Sequence, residues 1–328
     1  MNKRLLFCLI AVVSLIVPAN FQAVFAAERN GRPTIALALG GGGTRGVAHV
    51  GVLRVLEREG IPIDYVVGSS TGAFIGGLYC AGVPVDKIEE VVRDGSAKHA
   101  FAPRPMIARA LLRSFWLIPS WRHRRSYPGI YSGQAFVSFI DKLVPAECRN
   151  IEDAKIPFTV VCTNLVDGKA RDLKKGDLGQ VILAGCTIPG VHRPVLTNGN
   201  IYVDAGLSAN MPTSSARATG ADIVIAVDVD DDVNTIDPNT MKSMRAMTNR
   251  VISIVVCALD VRPRQAADIV IRPEVGGIPL LSRRDDNINR AIVAGEKAAI
   301  ESLPAIRARL KSSAVAATHS EDHEPGVQ

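Results

Sequence analysis

Gly68-Ser69-Ser70-Thr71-Gly72 sets a serine between two glycines in the order G-x-S-x-G. That spacing makes a nucleophile elbow when a strand precedes it and a helix follows, because the glycines let strand and helix come close and leave the central hydroxyl exposed at a strained apex. Tyr65-Val66-Val67 supplies the strand pattern, and Ala73, Phe74, Ile75 and Leu78 supply the helical one. Ser70 is the candidate nucleophile; Ser69, one place before the apex, points into the sheet or the neighbouring loop. The helix N-terminus just after Ser70 places unpaired N–H groups and a positive dipole end where negative charge would develop.

A second unit stands upstream. Pro33 to Leu39 is a continuous apolar run, as expected of a strand buried on both faces. It enters Gly40-Gly41-Gly42-Gly43-Thr44-Arg45-Gly46, and Val47, Val50, Leu53 and Leu56 then follow at near-helical spacing up to Gly60. Two chemistries fit this glycine loop. Gly41-x-Gly43-x-x-Gly46 matches a dinucleotide fingerprint, with Asp64 placed 18 residues beyond Gly46 as a ribose acceptor. However, Asp64 precedes the second apolar run, whereas the ribose acid belongs at that strand's far end. In the other chemistry the loop's backbone N–H groups form an oxyanion hole, which consecutive glycines permit by close approach. No Lys-Ser/Thr follows Gly46, which excludes a phosphate-binding P-loop.

Three segments in order, Gly41-Gly42-Gly43-Thr44-Arg45-Gly46, Gly68-Ser69-Ser70-Thr71-Gly72 and Asp204-Ala205-Gly206, give the chain its resemblance to the bacterial patatin-like phospholipases, relatives of patatin and neuropathy target esterase. His49-Val50-Gly51-Val52-Leu53 and Asn210-Met211-Pro212 are also similar, and the resemblance spans roughly residues 33 to 275. It implies a carboxylic ester hydrolase acting on phospholipid or another acyl-ester lipid, with Ser70 as nucleophile and Asp204 as its base, a dyad without histidine. It further implies that Gly41, Gly42 and Gly43, with Arg45 close by, stabilise the oxyanion, with Gly46, Gly68, Gly72 and Gly206 supporting the motifs. No cofactor or metal is required. Asp204 ends the run Asn200-Ile201-Tyr202-Val203, so two neighbouring strand ends would bring it to Ser70. A partly desolvated carboxylate there would have a raised pKa and be a better base. His192 precedes that strand, but a packing or rim role suits it, since the family holds an aromatic residue there. Gly185 departs from the family's serine- or alanine-rich stretch.

Other segments position or surround these groups. Pro157 to Thr163, Asp222 to Asp228 and Ala267 to Ile271 read as buried strands; Leu178 to Ala184, Thr240 to Asp260 and Asn287 to Leu310 read as helices. The alternation predicts an α/β fold, a mostly parallel central sheet covered by helices on both faces in three layers. Lys98 to Gly133 carries Trp116 and Trp121 among basic residues only, and Ile107, Leu111, Leu112 and Phe115 could share a helix face. It fits a lid or a surface that meets anionic lipid.

Residues 1–26 have a basic n-region, an apolar stretch from Leu5 to Val17 and small residues before Ala27, the pattern of an export signal. Export from a bacterial cell would leave the protein periplasmic, membrane-associated or secreted, with residues 27–311 as one catalytic domain and 312–328 as a disordered tail. Loss of Lys3 and Arg4 lowers the net charge from +6 to +4, and no basic block argues for nucleic acid. Cys80, Cys148, Cys162, Cys186 and Cys257 show no C-x-x-C pair and read as small buried side chains. Two further classes stay open at this point: a catalytically weak lipid-binding or envelope-associated protein, and a nucleotide-binding oxidoreductase.

Overall fold

The five residues Ile35–Leu39 form strand β1, apolar and buried at every position, at the heart of the sheet. The computed structural model describes residues 32–103, 127, 129–230, 233, 236–280, 282 and 284–321. In chain order the further strands are β2 (Tyr65–Gly68), β3 (Phe158–Asn164), β4 (Lys169–Leu173), β5 (Val195–Thr197), β6 (Asn200–Asp204), β7 (Ile223–Val227) and β8 (Ile269–Ile271). The helices are α1 (Ala48–Arg58), α2 (Thr71–Cys80), α3 (Val85–Arg93), α4 (Ser96–Phe101), α5 (Gln134–Leu143), α6 (Leu178–Cys186), α7 (Thr213–Arg217), α8 (Met244–Ala266) and α9 (Asp285–Glu321).

The sheet order is β5-β6-β3-β2-β1-β7-β8, with β4 also paired to β3. From β3 to β8 every pair is parallel, whereas β3–β4, β3–β6 and β5–β6 are antiparallel. The expected mostly parallel sheet is therefore present, with an antiparallel edge. Leu39 stands opposite Gly68 on one side and Val227 on the other, so β1, β2 and β7 end level with one another. Their loops gather at one rim, the usual place for a site in an open α/β sheet.

The two faces are covered differently. Ile35, Leu37 and Leu39 face a large core with Leu53, Leu56, Ile75 and Leu78. Ala36, Ala38, Val67, Val224 and Ala226 face a thinner one with Met211 and Ala216, where small side chains let the short α7 approach. On the large face α9 lies along α1 with little between the backbones: a Cβ added at Gly51 would meet the Ile292 carbonyl at 2.1 Å, and one at Gly295 the Ala48 carbonyl at 2.0 Å.

Several expectations change here. The helix expected over Thr240 to Asp260 starts only at Met244, because Ser243 Oγ accepts the Ala246 N–H as an N-cap, and it runs on to Ala266. The tail expected to be disordered from Ser312 is helical as far as Glu321. Propagating a helix already nucleated needs little, and Ala314, Ala316 and Ala317 favour it. Asp204 does not come from a strand beside β2: β3 lies between, and β6 arrives antiparallel, with Asp204 opposite Cys162. The apolar leader, most of the Lys98 to Gly133 segment including Trp116 and Trp121, and residues 322–328 lie outside the described residues.

Candidate active site

Ser70 sits at φ 50° and ψ −123°, one of two non-glycine residues with positive φ among the described residues. That conformation is costly for an L-residue and persists only where its surroundings enforce it. The enforcement comes from both sides. A Cβ at Gly72 would lie 2.2 Å from the Leu39 carbonyl, and one at Gly68 would lie 2.6 Å from the Gly72 carbonyl, so α2 packs directly on the ends of β1 and β2. Ser70 N–H donates to Gly185 O at 3.1 Å, and Cys186 Sγ donates to Ser70 O at 3.0 Å. Gly185 is needed where it stands, because a Cβ would meet Val160 at 2.4 Å.

The Ser70 side chain lies beside the carboxyl of Asp204 and favours its ionised form. Asp204 also accepts the Gly206 N–H at 2.8 Å, and its own N–H donates to Thr187 O at 2.9 Å. Burial raises the Asp204 pKa to about 6, and the Gly206 hydrogen bond and the nearby Ser70 side chain oppose part of that rise. Dense protein around the carboxyl sets this value, although the residue keeps some open surface. Ser69 is the opposite case, fully buried with its hydroxyl donating to Asn210 O.

The glycine loop faces the elbow. A Cβ at Gly41 would meet Ser70 Cβ at 2.9 Å, and one at Gly46 would meet Thr71 Cβ at 2.7 Å. Of the expected oxyanion donors, Gly41 is already engaged, its N–H donating to Asn210 O at 3.1 Å. Gly42 and Gly43 make no such donation among the described residues, and Gly43 holds φ +54° where a side chain would strike the Leu280 carbonyl. Arg45 departs from its expected place. Its guanidinium donates to Ile278 O at 2.7 Å and to Ser253 Oγ at 3.4 Å, tying the loop to α8 and the segment before α9, and it does not line the cleft at Ser70.

That cleft has a volume of about 160 Å³. Its walls are mostly apolar, with Val47, Phe74, Phe101, Phe136 and Ile288 prominent, and Lys98 is the one charged side chain among its described lining residues. A larger hollow of about 370 Å³ along α9, between Arg272 and Glu301, contains none of the candidate residues.

Asn210, noted in the sequence only as part of the similar Asn210-Met211-Pro212 run, proves to be a participant. Its backbone carbonyl accepts from Gly41 N–H and Ser69 Oγ, while its Nδ2 donates to Asp260 Oδ2 at 2.8 Å and to Gly41 O at 3.3 Å. One residue therefore clamps both sides of the site. Behind it Asp228, Asp230 and Asp260 are buried beside the half-buried Arg264, and burial plus the neighbouring carboxylates push the Asp230 pKa up.

The histidines take supporting places. His49 is fully buried and contacts Gly40 O through Nε2 at 2.7 Å; burial lowers its pKa to about 4, so it is neutral at pH 7. His192 packs on Phe101 and Tyr131, with Nε2 at 2.8 Å from Phe101 O, in agreement with its expected packing role. Asp64 is bound to Arg32 at 2.8 Å and to Ile35 N–H at 2.7 Å at the start of the strands, the end away from the glycine loop. That position removes the ribose acceptor from the dinucleotide alternative. Cys80, Cys148, Cys162 and Cys186 are buried free thiols, and Cys257 is a half-buried one. No cluster of His, Cys, Asp and Glu suited to a metal occurs among the described residues.

Several known proteins are similar to this chain. The mouse Patatin-like phospholipase domain-containing protein 6 is 32% identical over 200 residues, which is 60% of this chain but 13% of that protein. Lysophospholipase NTE1 of Mycosarcoma maydis is 37% identical over 198 residues, 60% of this chain and 10% of its own length. An uncharacterized NTE family protein of Mycobacterium tuberculosis is 34% identical over 195 residues, 60% of this chain and 49% of that one. Among solved structures, human GIVD cytosolic phospholipase A2 aligns with TM-score 0.49 and 11% identity over 88% of this chain and 63% of that chain. VipD from Legionella pneumophila aligns with TM-score 0.45 and 14% identity over 84% and 67%. The family description Patatin-like phospholipase matches residues 37–217, which span the glycine loop, the elbow and Asp204, and the chain belongs to that family.

Proposed function

We propose that the protein is a serine acyl hydrolase that cleaves ester bonds of phospholipids or related lipids through an acyl-enzyme. The observation that carries this reading is the strained Ser70, beside a buried carboxyl whose pKa is raised to about 6, at the end of an apolar cleft. Ser70 Oγ attacks the ester carbonyl carbon as its proton passes to Asp204. The resulting oxyanion takes hydrogen bonds from the Gly42 and Gly43 N–H groups, a type of interaction worth about 3–4 kcal/mol per donor in the transition state. Collapse breaks the acyl C–O bond, and the departing alkoxide takes the proton back from Asp204. Water then attacks the acyl-Ser70 carbonyl with Asp204 again as base, releasing the fatty acid and restoring the serine.

An apolar cleft suits an acyl chain, and the family name fits a lipid ester, as do the patatin-like phospholipase and lysophospholipase names of its relatives. Hydrolysis of a short-chain nitrophenyl ester and of phospholipid vesicles should be compared with Ser70→Ala and Asp204→Asn. Wild-type turnover with loss of about two or more orders of magnitude in each variant is expected. Activity persisting in Ser70→Ala would remove Ser70 from the mechanism.

A further inference from the structure

Helix α8 is arranged inside out. Beside the half-buried Ala246, Val256 and Pro263, the residues that face the body of the protein recur at helical spacing and include Asn249, Ser253, Cys257, Asp260 and Arg264. Ser253 meets Arg45, and Asp260 holds Asn210 Nδ2 and Met211 N–H. The outward arc is apolar. Met244 is 78% exposed, Val251 59%, Val255 49% and Val261 49%, with Met247, Ile252, Ile254 and Leu259 also on the surface. Eight of the seventeen exposed large apolar side chains among the described residues lie on this one helix. Successive residues of a helix turn by about 100°, so these eight fill roughly half of the circumference and the inner set fills the other side.

The charge around the arc has one sign. Exposed Lys242 and Arg262 stand at its two ends, and the only acid from Lys242 to Arg264 is Asp260, which is buried on the inner side. A second copy of the chain would bring like charges together, whereas an anionic lipid surface supplies the opposite charge and an apolar layer for the outer arc. Among the described residues no helix is long and apolar enough to cross a membrane, so this one would lie along it.

We propose that the outer face of α8 docks the protein on anionic lipid. The proposal rests on the lipid-hydrolase reading for its biological sense, but not for its geometry. The inner face of the same helix holds Asn210 and Arg45, so docking seats the element that braces the glycine loop against the lipid.

The test is co-sedimentation of the Ser70→Ala full chain, with and without residues 1–26, on phosphatidylcholine vesicles with and without phosphatidylglycerol. At least tenfold stronger binding to the anionic vesicles is expected. V251S/I254S/V255S should weaken that binding at least tenfold, and K242E/R262E should erase the preference for anionic lipid. In the Ser70 background both variants should keep thermal stability and soluble-ester hydrolysis within about twofold. Unchanged vesicle binding in V251S/I254S/V255S overturns the proposal. So does a dimer that light scattering shows dissociating in that variant while vesicle binding holds. If the wild type hydrolyses no ester yet the vesicle results stand, the docking face survives and the hydrolase reading falls.

Discussion

At the scale of single residues, Asp204 fixes the pH response. As a base it must be ionised, so kcat/KM on a soluble ester should rise with unit slope below pH 6 and level off above an apparent pKa near 6. A profile flat from pH 4 to 8 would remove Asp204 as the base. Asn210 is a positioning residue: Asn210→Ala takes partners from Asp260 and Gly41 O at once and should cost about 1–3 kcal/mol of stability. A role in holding the oxyanion loop predicts that kcat falls at least tenfold with KM little changed; an effect on stability alone would contradict it. Ser70, Gly68 and Gly72 were legible because an elbow is written in five consecutive residues. Asp204 lies 134 positions away and was reached only through resemblance to a family. Asn210 works through partners 50 and 169 positions distant, and such pairing has no local signature.

At the scale of elements, β1 and the Pro157–Thr163 strand could be read from unbroken apolar runs because parallel strands are buried on both faces. The edge was not legible in that way, since β5 and β6 are short and half-exposed. A signal was available there: Asn198-Gly199 lies between them at φ 49° and 76°, the dipeptide of a tight hairpin turn. The outcome matters because that hairpin delivers Asp204 to the site. Asn198→Ala should lose about 1 kcal/mol, read as a fall in Tm, because only the asparagine tolerates that backbone well. Gly72→Ala should do far more. A methyl 2.2 Å from the Leu39 carbonyl forces α2 off β1 and should cost about 3 kcal/mol or more, with loss of activity, whereas Gly95→Ala, where there is open space, should cost about 1 kcal/mol.

At the scale of the whole molecule, two buried groups pull the stability curve in opposite directions. His49 has a folded pKa of about 4 against 6.5, so the unfolded chain binds the extra proton and stability falls as pH drops from 6.5 toward 4. Asp204 has a folded pKa of about 6 against 3.8, so its contribution is present below pH 3.8 and is lost as pH rises through 6. Melting curves of Asp204→Asn and wild type should therefore diverge in the variant's favour between pH 4 and pH 7. A constant difference would contradict the buried carboxylate. The sequence signalled a helix at the C-terminal end but not its partner. The Gly51–Gly295 approach that lays α9 on α1 joins segments more than two hundred positions apart, and Gly295→Leu should unfold the domain where truncation after Lys311 should not.

The most direct test of the central claim is mass mapping after reaction with an alkyl fluorophosphonate. A single phosphonyl adduct on Ser70, formed at least a hundredfold more slowly in Asp204→Asn, is the predicted result. A folded protein that is labelled on Ser69, or that gives no serine adduct, would contradict it.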